Sequence, residues 1–169
     1  VPAIPELTYT FYPVWTKLFG GDLAHIPLQA DFSLDVTSMS EWKGPLVFPN
    51  PNAPTGLAID RGQVEAIIAA NPDRLVVIDE AYVGFGAQSA APLIEKHDNL
   101  IVTRSLSKSH ALAGLRVGYA LGHPELIEGL RRIKDSFNSY PLDAVAQRVA
   151  NEALSDHEWE SQSQAFIAG

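Results

Sequence analysis

Five short runs of aliphatic and β-branched residues recur along this chain, and stretches with helical spacing lie between them. The runs are DLAHIPL (Asp22–Leu28), PLVFP (Pro45–Pro49), RLVVID (Arg74–Asp79), NLIVTRS (Asn99–Ser105) and RVGYALG (Arg116–Gly122). Each is too short for a helix and has the composition of a strand. Strands that alternate with helices predict an α/β architecture around a mainly parallel sheet.

The intervening helices are read from apolar spacing. Val64, Ile67 and Ile68 give one face after IDRGQ. PELIEGLRRIKDSF places Pro124 at a first helical position and repeats Leu126, Ile127, Leu130 and Ile133. LDAVAQRVANEAL repeats Val145, Val149 and Ala153, and Ser155 with Glu158 three residues later predicts the capping box of a last helix. These faces are expected to belong to the core.

At 169 residues the chain has the length of one domain. A formal net charge of −8 argues against nucleic acid as a partner, which calls for a basic stripe. The absence of cysteine excludes disulfides and thiolate metal sites and is compatible with a cytoplasmic home. No run approaches the ~18 apolar residues of a membrane span. The five histidines lack ligand spacing, so no metal is expected.

Three motifs carry candidate chemistry. RLVVIDEAY ends an apolar strand on Asp79 and Glu80, and ligands of open α/β sheets bind beyond the carboxyl ends of strands. An acid facing solvent fits the same pattern. A magnesium-holding acid of a nucleotide hydrolase does not, because no G-x-x-x-x-G-K-[ST] loop accompanies it. NPNAPTG (Asn50–Gly56) follows PLVF, and its asparagines can bond a ligand or their own backbone.

The third motif is RSLSKSHALAGLRVGY, Arg104 to Tyr119. A lysine becomes a nucleophile toward carbonyls when burial or a nearby cation lowers its pKa. Lys108 lies among small residues, with Ser105, Ser107 and Arg116 nearby as partners for a phosphate. A solvated loop lysine is the other reading. Ala111, Ala113 and Gly114 are expected to let this backbone pack close against the sheet. No G-x-S-x-G elbow accompanies Ser107, Ser109 and His110, so a hydrolase triad is not indicated. The aromatic run YTFYPVW reads as core, with one ring available to cover a planar ligand.

Taken in order, NPNAPTG, VVIDEAYVGFG and NLIVTRSLSKSHALAGLRVGY resemble the fold-type I pyridoxal-phosphate aminotransferases, and among them the histidinol-phosphate aminotransferase family most closely. The resemblance implies a three-layer sandwich, the large domain of those enzymes, and pyridoxal 5′-phosphate as cofactor. It implies that Lys108 joins the cofactor as a Schiff base and that Asp79 pairs with the pyridinium nitrogen. Tyr82 then bonds the phenolic oxygen, Ser105, Ser107 and Arg116 cradle the phosphate, and Tyr9 stacks on the ring. The family has Asn-Pro-Thr-Gly where this chain has NAPTG, so Ala53 stands at the family's asparagine and Asn52 is the residue expected to reach the cofactor instead.

The same resemblance implies a small-molecule amino donor and a 2-oxo acid as substrates, a cytoplasmic location and a homodimer. Histidinol phosphate with 2-oxoglutarate is the leading substrate pair. Aromatic aminotransferases and a phosphothreonine decarboxylase share the SK…LAGLR region, and a non-catalytic piece or binding module remains a reading of another class. The chain opens without methionine and stops at QSQAFIAG. The expectation is a partial large domain over residues 1–169, with an N-terminal segment and a C-terminal small domain lying outside it.

Overall fold

The computed structural model describes residues 1–168. Its elements run β1 (Ala3–Pro5), α1 (Phe11–Leu18), β2 (Ala24–Ile26), α2 (Val36–Glu41), β3 (Leu46–Pro49), α3 (Arg61–Ala69), β4 (Val76–Asp79), β5 (Leu100–Ser105), α4 (Leu106–Ser109), β6 (Gly118–Gly122), α5 (Pro124–Phe137), α6 (Ala144–Ser155) and α7 (His157–Ala168). One sheet takes the order β2-β1-β3-β4-β5-β6. All pairs are parallel except β5 with β6, which is antiparallel.

The chain leaves β1 toward one edge and leaves β3 toward the other. Right-handed crossovers therefore put α1 on one face of the sheet and α2 and α3 on the opposite face. The side chains agree. Leu46 and Phe48, Val76 and Ile78, and Leu100 and Val102 alternate toward Met39 of α2 and Val64, Ile67 and Ile68 of α3 in the main core. Val47, Val77 and Thr103 point the other way and share a cavity wall with Tyr12, Trp15 and Thr16 of α1.

Local chemistry sets the helix ends. Asp60 and Gln63 form a capping box on α3. The buried Arg74 lies at the foot of β4, and its guanidinium donates to the carbonyls of Met39, Trp42 and Ile67. It thereby satisfies acceptors left open where α2 and α3 end. A smaller cluster of Leu106, Val117, Ala146 and Ala150 seats α4 on α6.

The three central runs are strands as expected, with β3, β4 and β5 each shorter than its run by one or two residues. β6 likewise loses two residues, β2 loses four, and β1 was not foreseen, because a three-residue strand that follows Pro2 and ends on Pro5 carries no periodicity. α6 buries Ala146 and Ala150, while Val145, expected in the core, is exposed. The two alanines win because they let the helix approach the α4 turn closely. α5 starts at Pro124 as expected, but Leu130 and Ile133 are exposed rather than core. Ser155 is the last residue of α6, and the acceptor for the first turn of α7 is Asp156, whose Oδ1 takes the Trp159 N–H at 2.9 Å.

Candidate active site

The strand order reverses between β1 and β3, and this is where an open α/β sheet forms its crevice. Pro49, Asp79 and Thr103 are register partners, so the carboxyl ends of β3, β4 and β5 come level there. A cavity of about 460 Å³ opens beyond them. Its wall carries Tyr9, Asp79, Tyr82, Ser105, Ser107, Lys108 and Arg116. These come from four segments of the chain, brought together only by the sheet. Of the expected residues, Asn52 alone is outside this wall.

Asn52 is 1% exposed and turned into the protein. Its Oδ1 accepts from Thr8 Oγ1 at 2.9 Å, and its Nδ2 donates to the Leu7 carbonyl at 3.0 Å and to Thr55 Oγ1 at 3.2 Å. It ties the loop after β1 to the loop after β3 across the crevice, and its amide is committed to that brace. Asn50 closes the same loop at its base, donating to the Ile59 carbonyl and accepting its N–H, both at 3.0 Å. Both asparagines of NPNAPTG therefore bond the chain itself, and it is Ala53 that faces the cavity.

Asp79 and Glu80 are consecutive and point to opposite sides, as neighbours on a strand must. Glu80 is buried, held by Ser89 Oγ, by the Ala90 N–H and by Arg104. Asp79 faces the cavity. Its Oδ1 accepts the Ala81 N–H at 3.0 Å and its Oδ2 accepts the Tyr12 hydroxyl at 2.9 Å. Burial pushes the Tyr12 hydroxyl far above its ordinary pKa, and the adjacent Asp79 charge pushes it further. Tyr12 is thus a fixed donor at neutral pH.

Tyr9 lies just before α1, its carbonyl accepting the Tyr12 N–H at 3.3 Å, within an aromatic group whose ring centroids are 5.5 Å (Tyr12) and 6.0 Å (Trp15) away. Tyr12, Trp15 and Arg104 were not singled out from sequence. The spacing of Tyr9 and Tyr12 was the available signal, since the turn that opens α1 brings residues three apart together.

Lys108 is exposed, contrary to the expectation of a lysine enclosed by small residues. Ala111 and Ala113 are exposed, and a Cβ at Gly114 would meet nothing within 4 Å, so these residues do not pack against the sheet. The backbone beneath Lys108 is fixed by other means. Buried Leu106 anchors α4, its N–H donating to the Val117 carbonyl and its carbonyl accepting from Leu112. Ser105 Oγ caps the turn by accepting the Ser107 N–H at 3.1 Å, which leaves its own O–H free to donate. Lys108 Nζ lies 5.7 Å from the centre of the Tyr82 ring, within cation–π range.

The charge balance of the wall is distinctive for a chain of net −8: Arg104, Lys108 and Arg116 against the single acid Asp79. Glu80 neutralises Arg104, and among the described residues Lys108 and Arg116 form no ion pair; they share the wall with the Ser105 and Ser107 hydroxyls. That donor set suits a phosphate, and the Asp79 carboxylate suits a protonated ring nitrogen. Among the described residues, no group of three or more His, Asp or Glu is placed to hold a metal ion, and no helix is long and apolar enough to cross a membrane.

A family model described as aminotransferase class I and II matches residues 3–168. The histidinol-phosphate aminotransferase of Gluconacetobacter diazotrophicus is 56% identical over 158 residues, 92% of this chain and 44% of that protein. Histidinol-phosphate aminotransferase 1 of Bradyrhizobium diazoefficiens is 50% identical over 163 residues, 96% of this chain and 47% of that protein. The crystal structure of the Sinorhizobium meliloti histidinol-phosphate aminotransferase in complex with pyridoxal-5′-phosphate superposes with a TM-score of 0.83 at 25% identity, covering 98% of this chain and 46% of that one. The chain spans a little under half the length of these relatives.

Proposed function

The chain belongs to the aminotransferase class I and II family, and from that premise we propose that it is part of the cofactor-binding large domain of a pyridoxal-phosphate-dependent histidinol-phosphate aminotransferase. One observation carries the reading: Tyr9, Asp79, Tyr82, Ser105, Ser107, Lys108 and Arg116 line one cavity, which brings cations, hydroxyls and a carboxylate together. The identity of 50–56% to the two enzymes of that name supports the substrate.

The residues fit the cofactor group by group. Ser105, Ser107 and Arg116 would take its phosphate, Tyr82 its phenolic oxygen, Tyr9 one face of its ring and Lys108 its aldehyde. Asp79 would accept from the ring nitrogen and keep that nitrogen protonated. When bound, pyridoxal phosphate supplies an aldehyde carbon that joins amines and a ring that draws electrons from the substrate Cα. Lys108 would hold that aldehyde and, when its amine is free, would be the base and acid that moves the proton at that Cα. Its exposure on a rigid turn suits this double use, since the side chain can swing while its backbone stays fixed.

The amino donor is histidinol phosphate, with imidazole-acetol phosphate as product, and 2-oxoglutarate is the acceptor. We place the intact enzyme in the cytoplasm as a homodimer, with an N-terminal segment and a small domain completing the substrate site. A second reading, a site that no longer turns over, draws on Ala53, whose methyl faces the cavity where the family has an asparagine. Coupled assays of the full-length parent with histidinol phosphate, phenylalanine and phosphothreonine decide. Turnover of histidinol phosphate alone is the expected result. Turnover of phenylalanine or loss of carbon dioxide from phosphothreonine in its place would reassign the substrate, and no turnover of any of them would favour the second reading.

A further inference from the structure

We propose that Tyr12 is a positioning residue for the cofactor: its hydroxyl fixes the Asp79 carboxylate in the orientation that meets the ring nitrogen. The inference rests on the cofactor reading above. Tyr12 and Asp79 are 67 residues apart in the chain, yet their oxygens lie 2.9 Å apart. Tyr12 is 6% exposed and the bond is partly buried, which favours it over a bond in open water.

Two independent donors hold Asp79. The Ala81 N–H takes Oδ1 from the strand's own continuation, and Tyr12 takes Oδ2 from α1 on the facing layer. With only the first, the carboxylate could turn about its Cβ–Cγ bond. With both, turning breaks a bond. Each oxygen accepts at two sites, so this grip still leaves capacity for a ligand. The remaining charged and titratable neighbours in the cavity wall are Tyr9, Tyr82, Arg104, Lys108 and Arg116.

The start of α1 and the residues just before it therefore make two contributions. Tyr9 presents a ring to the cavity, and Tyr12, three residues on, sets the carboxylate beside it. The adjoining cavity of about 410 Å³ beneath Asp79 explains why a device is needed. Asp79 and Thr103 border open space on that side, so packing alone does not restrain the carboxylate.

The test is a double-mutant cycle on pyridoxal-phosphate affinity in the full-length parent, followed by the visible absorption band. Tyr12→Phe keeps the ring and removes one oxygen. It should weaken binding about tenfold in the native background, the scale of one hydrogen bond to a charged group. In an Asp79→Asn background the same change should alter affinity by less than about twofold. Steady-state kinetics should show a lower kcat with an unchanged KM for the amino donor. Equal weakening in both backgrounds would mean that Tyr12 acts only through packing and would overturn the inference, as would native affinity in Tyr12→Phe. A native parent that forms no band would overturn the cofactor reading itself and the inference with it.

Discussion

The Arg104 guanidinium clasps the Glu80 carboxylate, with both Nε and Nη2 at 2.9 Å from Oε2. The side chain of Glu80 is 1% exposed and that of Arg104 26%. Ser89 Oγ bridges them, donating to Oε2 at 2.9 Å and accepting from Nη2 at 2.6 Å. The pair locks the end of β4, which bears Asp79, to the end of β5, which leads into Lys108.

The burial asymmetry predicts an asymmetric cost. Arg104→Ala strands a buried carboxylate and should destabilise the full-length parent by about 3 kcal/mol. Glu80→Gln leaves an arginine able to reach water and should cost about 1–2 kcal/mol. Denaturant unfolding of the two variants checks the order, and equal costs would argue against the clasp.

Asn52 is predicted to matter for the loop more than for the ligand. Asn52→Ala removes three side-chain hydrogen bonds at a buried position and leaves the Leu7 carbonyl and Thr8 hydroxyl without that partner. A loss of about 2–3 kcal/mol is expected. Hydrogen exchange should rise in the segments after β1 and β3 together, because the one amide joins them.

Asp35 gives a pH-dependent prediction. Its Oδ2 accepts the Ser38 hydroxyl at 2.6 Å and its Oδ1 the Ser38 N–H at 3.1 Å, and these bonds, the hydroxyl first, hold its carboxyl below the usual aspartate range. A carboxyl lowered in the folded state contributes fully above its unfolded value, near 3.9, and loses that contribution as pH falls through the folded value. Asp35→Ala should therefore cost about 1 kcal/mol at neutral pH, as the loss of a helix N-cap does. The difference from the native protein should shrink below about pH 4. Urea titrations of both proteins at neutral and acid pH measure it.

What the sequence carried and what it withheld follow one physical division. Strands β3, β4 and β5 were legible because a buried strand must be apolar along its length, and the residues at their ends were legible because motif order survives in one dimension. Tyr12 was not, since its partner lies 67 residues on and an aromatic residue in an aromatic run looks like core. The inward turn of Asn52 was equally hidden, because an asparagine beside a ligand and one bracing two loops have the same letters around them. Leu130 and Ile133 mark a third case: periodicity identifies an apolar stripe on α5 but not what covers it. The small residues after Lys108 misled for the opposite reason, since alanine and glycine fit a tight contact and an exposed turn alike.

The central claim is that Lys108 tethers the cofactor in this cavity. Pyridoxal phosphate added to the full-length parent and reduced with borohydride should abolish the visible band and leave a covalent label, located by peptide mass spectrometry. The account predicts one labelled peptide, the one containing Lys108, and no label in Lys108→Ala. A label on Lys17, Lys43, Lys96 or Lys134, or a band that persists in Lys108→Ala, would contradict it.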